Sequence, residues 1–309
     1  MKYMIGVMSK NREFFPTAAL LEELARRSDC SGIYLSTPYI SPLIDNLNPF
    51  KTDALFAGQS LKSIDGIVPR VGRSQTQIGL IYLKHFELIG IPTTITSEAL
   101  FNTRDKFRCY QTLYKISGIK LPKTILINNS YAFERIIERF KFPVVIKIPD
   151  SSQGAGTILV PNSRVAEEII DALALQHHSP VLIQEFLSPS ISEMKKEDKK
   201  RSDIRVLVVG DQILGAMERI AYKGEWRTNY AQGAICRPYN LDKNVQEQIF
   251  KIIERIGIEV AGIDLFPTSE GLYVLEVNAC PGWKAFEETY PDIKVAKIIV
   301  DYLQQKIQN

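Results

Sequence analysis

The sequence has little of several things. Its 309 residues include only four cysteines and three histidines. Cys30, Cys109, Cys236 and Cys280 form no Cys-x-x-Cys pair and follow no regular spacing. That argues against a disulfide framework and a structural zinc, and makes free thiols in a reducing compartment the expectation. No stretch approaches the ~18 consecutive apolar residues of a membrane span. The apolar start, Met1 to Met8, is interrupted by Ser9-Lys10-Asn11-Arg12-Glu13, too early for a signal-peptide core, so a cytoplasmic location is expected. Charge of one sign is scarce too: 38 Lys and Arg against 35 Asp and Glu leave +3, too little for the broad basic face of a nucleic-acid binder. Any anion site must be local. There is no internal repeat and no low-complexity segment.

What is present is an ordinary globular composition, 45% hydrophobic and 24% charged, long enough for about two domains or one domain with lobes. Tyr3 to Met8, Gly32 to Leu35 and Asp65 to Arg70 read as strands, with an amphipathic helix at Pro16 to Arg27. This alternation predicts a small parallel-sheet domain. A helix at Gln77 to Leu88 stopped by Gly90, then Ile91-Pro92-Thr93-Thr94, puts a boundary near residue 96.

Beyond it the pattern predicts a helix from Thr103 through Lys115, a strand at Thr124 to Ile127, a helix at Tyr131 to Phe140 and a strand at Pro143 to Ile148. The loop Ser151-Ser152-Gln153-Gly154-Ala155-Gly156-Thr157 leads directly into Ile158-Leu159-Val160, so two β-type runs flank it, as in a hairpin whose tip can close over a ligand. A Walker loop or a Rossmann fingerprint needs a helix directly behind its glycines, and this order argues against both. Val181 to Leu187 is another strand, and Ser188 to Ser202 a charged insertion. Asp203 to Val209 and Gln212 to Ile220 form a hairpin across Gly210-Asp211. A helix from Leu241 to Ile256, strands at Val260 to Phe266 and Leu272 to Val277, and a helix at Ile293 to Lys306 complete the chain. His177-His178 is placed in a loop, and Lys195 to Arg201 reads as a solvated run.

Four groups of residues can carry chemistry. Asp264 lies on one predicted strand, with Glu276 and Asn278 on one face of the next; three oxygen donors suit magnesium, and strand-end polar residues are the alternative. Lys106 and Lys147 each precede a flexible segment. An ammonium ending so apolar a strand as that of Lys147 is explained by a phosphate, or by snorkelling at a sheet edge. Gln184-Glu185-Phe186 interrupts an apolar strand, where backbone groups can read an adenine edge or polar side chains simply point outward. Arg205, Arg219, Arg227 and Asn229 can clamp phosphates or an acyl phosphate, or lie at the surface.

Together, in this order, Lys106, Lys147 with the Gln153–Gly156 loop, Gln184-Glu185-Phe186, Asp203-Ile204-Arg205, Arg227-Thr228-Asn229, Asp264 and Glu276-Val277-Asn278 resemble the ATP-grasp superfamily, specifically its RimK-type glutamate ligases. Ile67-Val68-Pro69-Arg70-Val71-Gly72 and Thr103-Arg104-Asp105-Lys106 look like that family's N-terminal and linker signatures. The resemblance covers nearly the whole chain. It implies an α/β and α+β chain: an ATP-grasp fold of two α+β lobes sandwiching ATP (97–183 and 184–309) behind a parallel-sheet domain, 1–96. Carried over by position, Lys106 and Lys147 hold ATP phosphates together with Gln153, Gly154, Ala155 and Gly156. Glu185 and Phe186 form the adenine hinge, with Gln184 also at the nucleotide, Asp203 the ribose side, and Arg227 with Asn229 the phosphate end. Asp264, Glu276 and Asn278 ligate magnesium or manganese, with two ions expected. Arg205, Arg219 and Arg227 are the expected catalytic residues.

The implied reaction joins a carboxylate to an amine through an acyl phosphate and releases ADP. The amine is an amino acid such as glutamate; the acceptor is a metabolite, a carrier protein or a protein C-terminus, with no nucleic acid or membrane involved and homo-oligomeric assembly expected. A phosphotransferase and a non-catalytic nucleotide-binding regulator are the alternatives, since fold does not fix function. The chain departs from the family's pattern in its long charged insertion, Ser188 to Ser202, and in Ala231-Gln232-Gly233-Ala234, where the family often has a basic residue and paired glycines.

Overall fold

A computed structural model of the chain describes residues 2–147, 156–177, 180–188, 201–221 and 234–309. Strand β1 (Tyr3–Ser9) is the centre of a three-stranded parallel sheet, flanked by β2 (Cys30–Ser36) and by a later strand at Gly66–Arg70. Helix α1 (Phe15–Arg26) crosses from β1 to β2 and turns Leu20 and Leu24 inward. This is the parallel domain the alternation predicts.

Between β2 and the Gly66–Arg70 strand lies a unit the sequence reading left unassigned. Strands β3 (Ile40–Leu43), β4 (Asp53–Phe56) and β5 (Gln59–Ser60) pair antiparallel, so the Gly66–Arg70 strand is β6. Helix α2 (Thr76–Leu88) packs beside them, and its His85 ring lies 2.7 Å from the Asp53 carbonyl.

The helix expected from Thr103 to Lys115 is two helices, α3 (Ser97–Arg104) and α4 (Lys106–Leu113). Asp105 separates them because its backbone is extended and its carboxylate caps α4, accepting from the Arg108 N–H at 2.8 Å. The cap makes Lys106 the first residue of a helix. The helix expected at Tyr131–Phe140 is likewise shorter: α5 covers Ser130–Glu134 and a 3-10 turn follows at Ile137–Arg139.

A four-stranded antiparallel sheet follows, with β7 (Thr124–Ile127), β8 (Val144–Lys147), β9 (Thr157–Val160) and β10 (Val181–Glu185) in the order β7-β10-β8-β9. The β8–β9 pair is the expected hairpin, with Lys147 opposite Thr157 at the end next to the connecting loop. Helix α6 (Ser163–His177) covers this sheet and went unread in the sequence. Its signals are present: Asn162 Oδ1 accepts from the Val165 N–H, and Ala166 and Ile170 repeat at helical spacing in the core. His177 therefore ends a helix instead of lying in a loop.

The third unit is a five-stranded antiparallel sheet, β13-β12-β11-β14-β15, from β11 (Ser202–Val209), β12 (Gln212–Ile220), β13 (Ile235–Tyr239), β14 (Val260–Thr268) and β15 (Gly271–Asn278). Gly210 makes the β11–β12 turn at φ 59°, a conformation that favours glycine. Helix α7 (Lys243–Ile256) is capped by Asp242 and stopped by Gly257 at φ 69°. Its buried Val245, Ile249, Ile252 and Ile256 contribute roughly 6–12 kcal/mol of burial. Helices α8 (Lys284–Thr289) and α9 (Val295–Gln308) follow β15. Ile299, Val300 and Leu303 of α9 share one core with Ile5, Val7 and Leu20 of the parallel domain and with Leu207 and Val209 of β11. Arg27 also ion-pairs with Asp301 at 2.6 Å. The parallel domain and the five-stranded sheet are thereby joined through a common interior. Among the described residues, no helix is long and apolar enough to cross a membrane.

Candidate functional site

A cavity of about 1060 Å3 opens where the three units meet. Ten of the sequence candidates line it: Lys106, Lys147, Gln184, Glu185, Asp203, Arg205, Arg219, Asp264, Glu276 and Asn278. Gln153, Gly154, Ala155, Arg227 and Asn229 lie outside the described residues, as does most of the charged insertion. Gly156 is described, at φ 70° just before β9. Phe186 is not among the lining residues; its ring stacks on the Arg201 guanidinium, 4.3 Å away.

Strand register aligns the charges. Asp203 faces Arg219 across β11 and β12, Arg205 faces Asp264 across β11 and β14, and Asp264 faces Glu276 across β14 and β15. Alternation sends Asp203 and Arg205 to the same face. The result is a lattice of close pairs. Arg205 grips Asp264 with both arms, Nε to Oδ1 at 2.6 Å and Nη2 to Oδ2 at 2.7 Å. Arg219 grips Asp203 in the same way, at 2.7 and 2.6 Å, and reaches Asp264 Oδ2 at 3.0 Å.

Glu276 is held from outside the sheet. Its Oε2 receives Lys106 Nζ at 2.9 Å and its Oε1 receives Arg73 Nη2 at 3.0 Å. Lys106 is thus no solvated helix residue; its side chain is 13% exposed and directed to the cavity. Asn278, opposite Gly262 in register, accepts the Cys280 N–H through its side-chain oxygen at 3.0 Å.

These surroundings set the protonation states. Burial alone would push the Asp264 carboxyl upward, but Arg205 and Arg219 outweigh it and hold the group below the usual carboxylate range. Burial is likewise outweighed at Glu276, where Lys106 and Arg73 keep the carboxylate ionised. Lys147 goes the other way. Burial, and then the nearby charge of Lys106, lower its ammonium from an ordinary 10.5 to about 7. Its hydrogen bond is to an uncharged partner, Gln184 Oε1, at 2.5 Å.

Several cavity residues escaped the sequence reading. Arg73 stands one residue beyond the Pro-Arg-Val-Gly segment, so position was its only signal. Arg201 belongs to the run expected to be solvated; instead it packs between the rings of Phe186 and Phe266, at 4.3 and 4.2 Å, and donates to the Leu187 carbonyl at 2.9 Å. Burial lowers its guanidinium to about 10. Nothing in a run of lysines and acids marks Arg201 as a residue that stacks.

Asp264, Glu276 and Asn278 offer two carboxylates and an amide oxygen facing one cavity, with no sulfur or imidazole. That hard-donor set fits magnesium. No cluster of three or more His, Cys, Asp or Glu occurs among the described residues, so water and phosphate oxygens would have to supply the remaining positions.

Two antiparallel sheets enclosing a cation-rich cavity behind a parallel domain define an ATP-grasp architecture. The RimK-like ATP-grasp domain matches residues 103–303 and the RimK PreATP-grasp domain matches 3–100. The chain belongs to the RimK-like ATP-grasp family. Among its relatives are proteins named probable alpha-L-glutamate ligase from Cellvibrio japonicus, 32% identical with 97% of this chain and 95% of the relative covered, and from Trichodesmium erythraeum, 31% identical with 98% and 96% covered. Similar solved structures include the ATP-grasp ligase PsnB complexed with minimal precursor, Mg and ADP, at 17% identity, 99% and 98% coverage and a TM-score of 0.72. D-alanyl-alanine synthetase A from Vibrio cholerae matches at 17% identity, 100% and 99% coverage and a TM-score of 0.66.

Proposed function

We propose that this protein is an ATP-dependent, ADP-forming carboxylate-amine ligase that adds an amino acid, with glutamate as the first candidate, to a carboxylate acceptor. One observation carries the reading: Lys106 and Lys147 share a cavity with Asp264, Glu276 and Asn278. Cations for a polyphosphate thus stand beside donors for the divalent ion that accompanies it. The names of the relatives that are 32% and 31% identical support glutamate as the amine. The acceptor is a metabolite, a carrier protein or a protein C-terminus.

In this reading Lys106 and Lys147 neutralise phosphate oxygens, with Gln153 to Gly156, Arg227 and Asn229 completing the phosphate side. The backbone of Gln184-Glu185-Phe186 borders the adenine, and Asp203 lies on the ribose side. Asp264, Glu276 and Asn278 would hold one or two magnesium or manganese ions. Magnesium, when bound, supplies charge neutralisation to the phosphates. The acceptor carboxylate attacks the γ-phosphorus, giving an acyl phosphate and ADP. The amine then attacks the acyl carbon, forming the amide and expelling phosphate. Holding both reactants in the cavity supplies proximity, and excluding water protects the acyl phosphate from hydrolysis. Arg205 and Arg219, fixed by their carboxylate partners, offer pre-organised positive charge to that anion.

The domain division belongs to the same reading: residues 1–96 in front, 97–309 as the ATP-grasp domain. Within the latter the lobes divide near residues 183–184, and the pairing of β10 through Glu185 with the four-stranded sheet favours placing that division just after Glu185. A cytoplasmic location and a homo-oligomeric state complete the proposal.

The test is magnesium-dependent ADP release with ATP, each amino acid in turn and a cell extract as acceptor source, followed by intact-mass analysis of products. ADP that requires an amino acid, with a product heavier by that residue, supports the ligase. ADP without an amine and a phosphorylated product means a phosphotransferase. Binding without turnover under every acceptor means a regulator.

A further inference from the structure

The cavity's half-buried Lys147 is aimed by a relay whose first member, Tyr110, neither the motif pattern nor the proposed roles include. Tyr110 is on α4, one helical turn beyond Lys106, so both side chains occupy one helix face. Lys106 meets Glu276, and Tyr110 donates its hydroxyl hydrogen to the neighbouring Leu275 carbonyl at 2.7 Å. The same hydroxyl accepts from Gln184 Nε2 at 3.0 Å. Gln184 Nε2 also donates to Thr124 Oγ1 at 2.9 Å, and Gln184 Oε1 receives Lys147 Nζ. Tyr110 and Gln184 are 6% and 4% exposed, so water cannot readily replace these partners.

The polarity of this chain is what decides its effect. With both amide hydrogens committed to Tyr110 and Thr124, the amide has one orientation, and its oxygen must face the lysine. A flipped amide would set NH2 against an ammonium. The relay also spans two sheets: Leu275 is on β15 beside a candidate metal ligand, while Gln184 and Lys147 are on β10 and β8 of the opposite sheet.

We propose that Tyr110 is a positioning residue for ATP, fixing Lys147 through the Gln184 amide and tying its placement to the β15 strand that carries Glu276. This rests on the assignment of Lys147 to the phosphates made above. Loss of the hydroxyl removes one acceptor from Gln184 and the donor from Leu275, and frees the amide to turn. The adenosine part of the nucleotide is untouched.

The experiment is titration calorimetry of the full chain with ATP and magnesium, and separately with adenosine by competition. Tyr110→Phe is expected to weaken ATP binding about tenfold, the scale of one buried hydrogen bond, and to leave adenosine within twofold. In a Gln184→Met background the same change is expected to be silent, because the intermediary is gone. Tyr82→Phe is the control for buried-hydroxyl loss: Tyr82 donates to the Thr37 and Ile40 carbonyls in the parallel domain, and its loss is expected to lower the melting midpoint without altering ATP affinity. Equal weakening of ATP and adenosine by Tyr110→Phe, or an undiminished effect in the Gln184→Met background, would overturn the relay. Lys147→Met separates the two levels of argument. If it binds ATP normally, the phosphate assignment and this inference both fail; if it loses ATP while Tyr110→Phe does not, only the relay fails.

Discussion

Arg205 and Asp264 face each other in register on adjacent strands and are joined by two parallel hydrogen bonds of 2.6 and 2.7 Å. A planar fork matched to a carboxylate fixes direction as well as charge, and a lysine cannot reproduce it. Arg205→Lys is therefore expected to stay folded and to lose at least about tenfold in the rate of ADP formation, read in a coupled ADP assay beside a melting curve. Unchanged turnover would place Arg205 outside the machinery.

The neighbouring pair, Arg219 and Asp203, makes a different prediction because both side chains are only 4% exposed. Removing Arg219 alone takes from the buried Asp203 carboxylate its two-armed counter-charge, at a cost of up to about 3–5 kcal/mol, whereas removing both members leaves no such mismatch and Asp264 is still gripped by Arg205. Arg219→Met should lower the unfolding midpoint sharply, and the double variant Asp203→Leu with Arg219→Met should recover much of the loss. Additive effects would show that the two charges do not depend on one another.

Lys147 couples pH to two properties with opposite signs. Its ammonium loses its proton near pH 7 in the folded protein but near 10.5 when exposed. The unfolded chain thus holds more protons between those values, and this group's contribution to stability rises with pH across that window. Phosphate binding needs the charged form, so ATP affinity should fall as pH climbs above about 7. Calorimetry at pH 8 in buffers of different ionisation enthalpy should register uptake approaching one proton, abolished in Lys147→Met. No uptake would mean that the lysine is already charged in the free protein.

Gly210 tests the turn that aligns the charged strands. At φ 59° a side chain is strained, and a Cβ there would lie 2.6 Å from the Tyr302 ring of α9. Gly210→Ala should destabilise by about 1–3 kcal/mol, a loss of several degrees in the melting midpoint. An unaltered midpoint would mean that the turn and the helix have room to shift.

What the sequence made legible follows from how far each signal travels along the chain. Period-two alternation around Asp264 and Glu276 and the Gly210-Asp211 turn are local, and they put the charged strands in order. The elements that went unread or were misread have local causes too. Asp105 looks like any acid in a helical run, and only its extended backbone reveals the cap that splits α3 from α4. The β3–β5 sheet is short, with exposed residues at most positions of β3, so little apolar pattern marks it. The partners of the charges were not legible at all. That Lys106 and Arg73 converge on Glu276, or that Gln184 turns to Lys147, depends on packing between residues up to 203 positions apart.

The interior shared by α9 and β1 also bears on the order in which the molecule can be completed. Ile5 and Val7 have no exposed surface in the folded protein, and part of what covers them is Ile299, Val300 and Leu303. During synthesis at about 5–20 residues per second, roughly 15–60 s separate the emergence of that strand from that of its covering helix. For that interval the first domain's apolar face is unfinished, and chaperones have a defined sequence and a defined span of time in which to hold it.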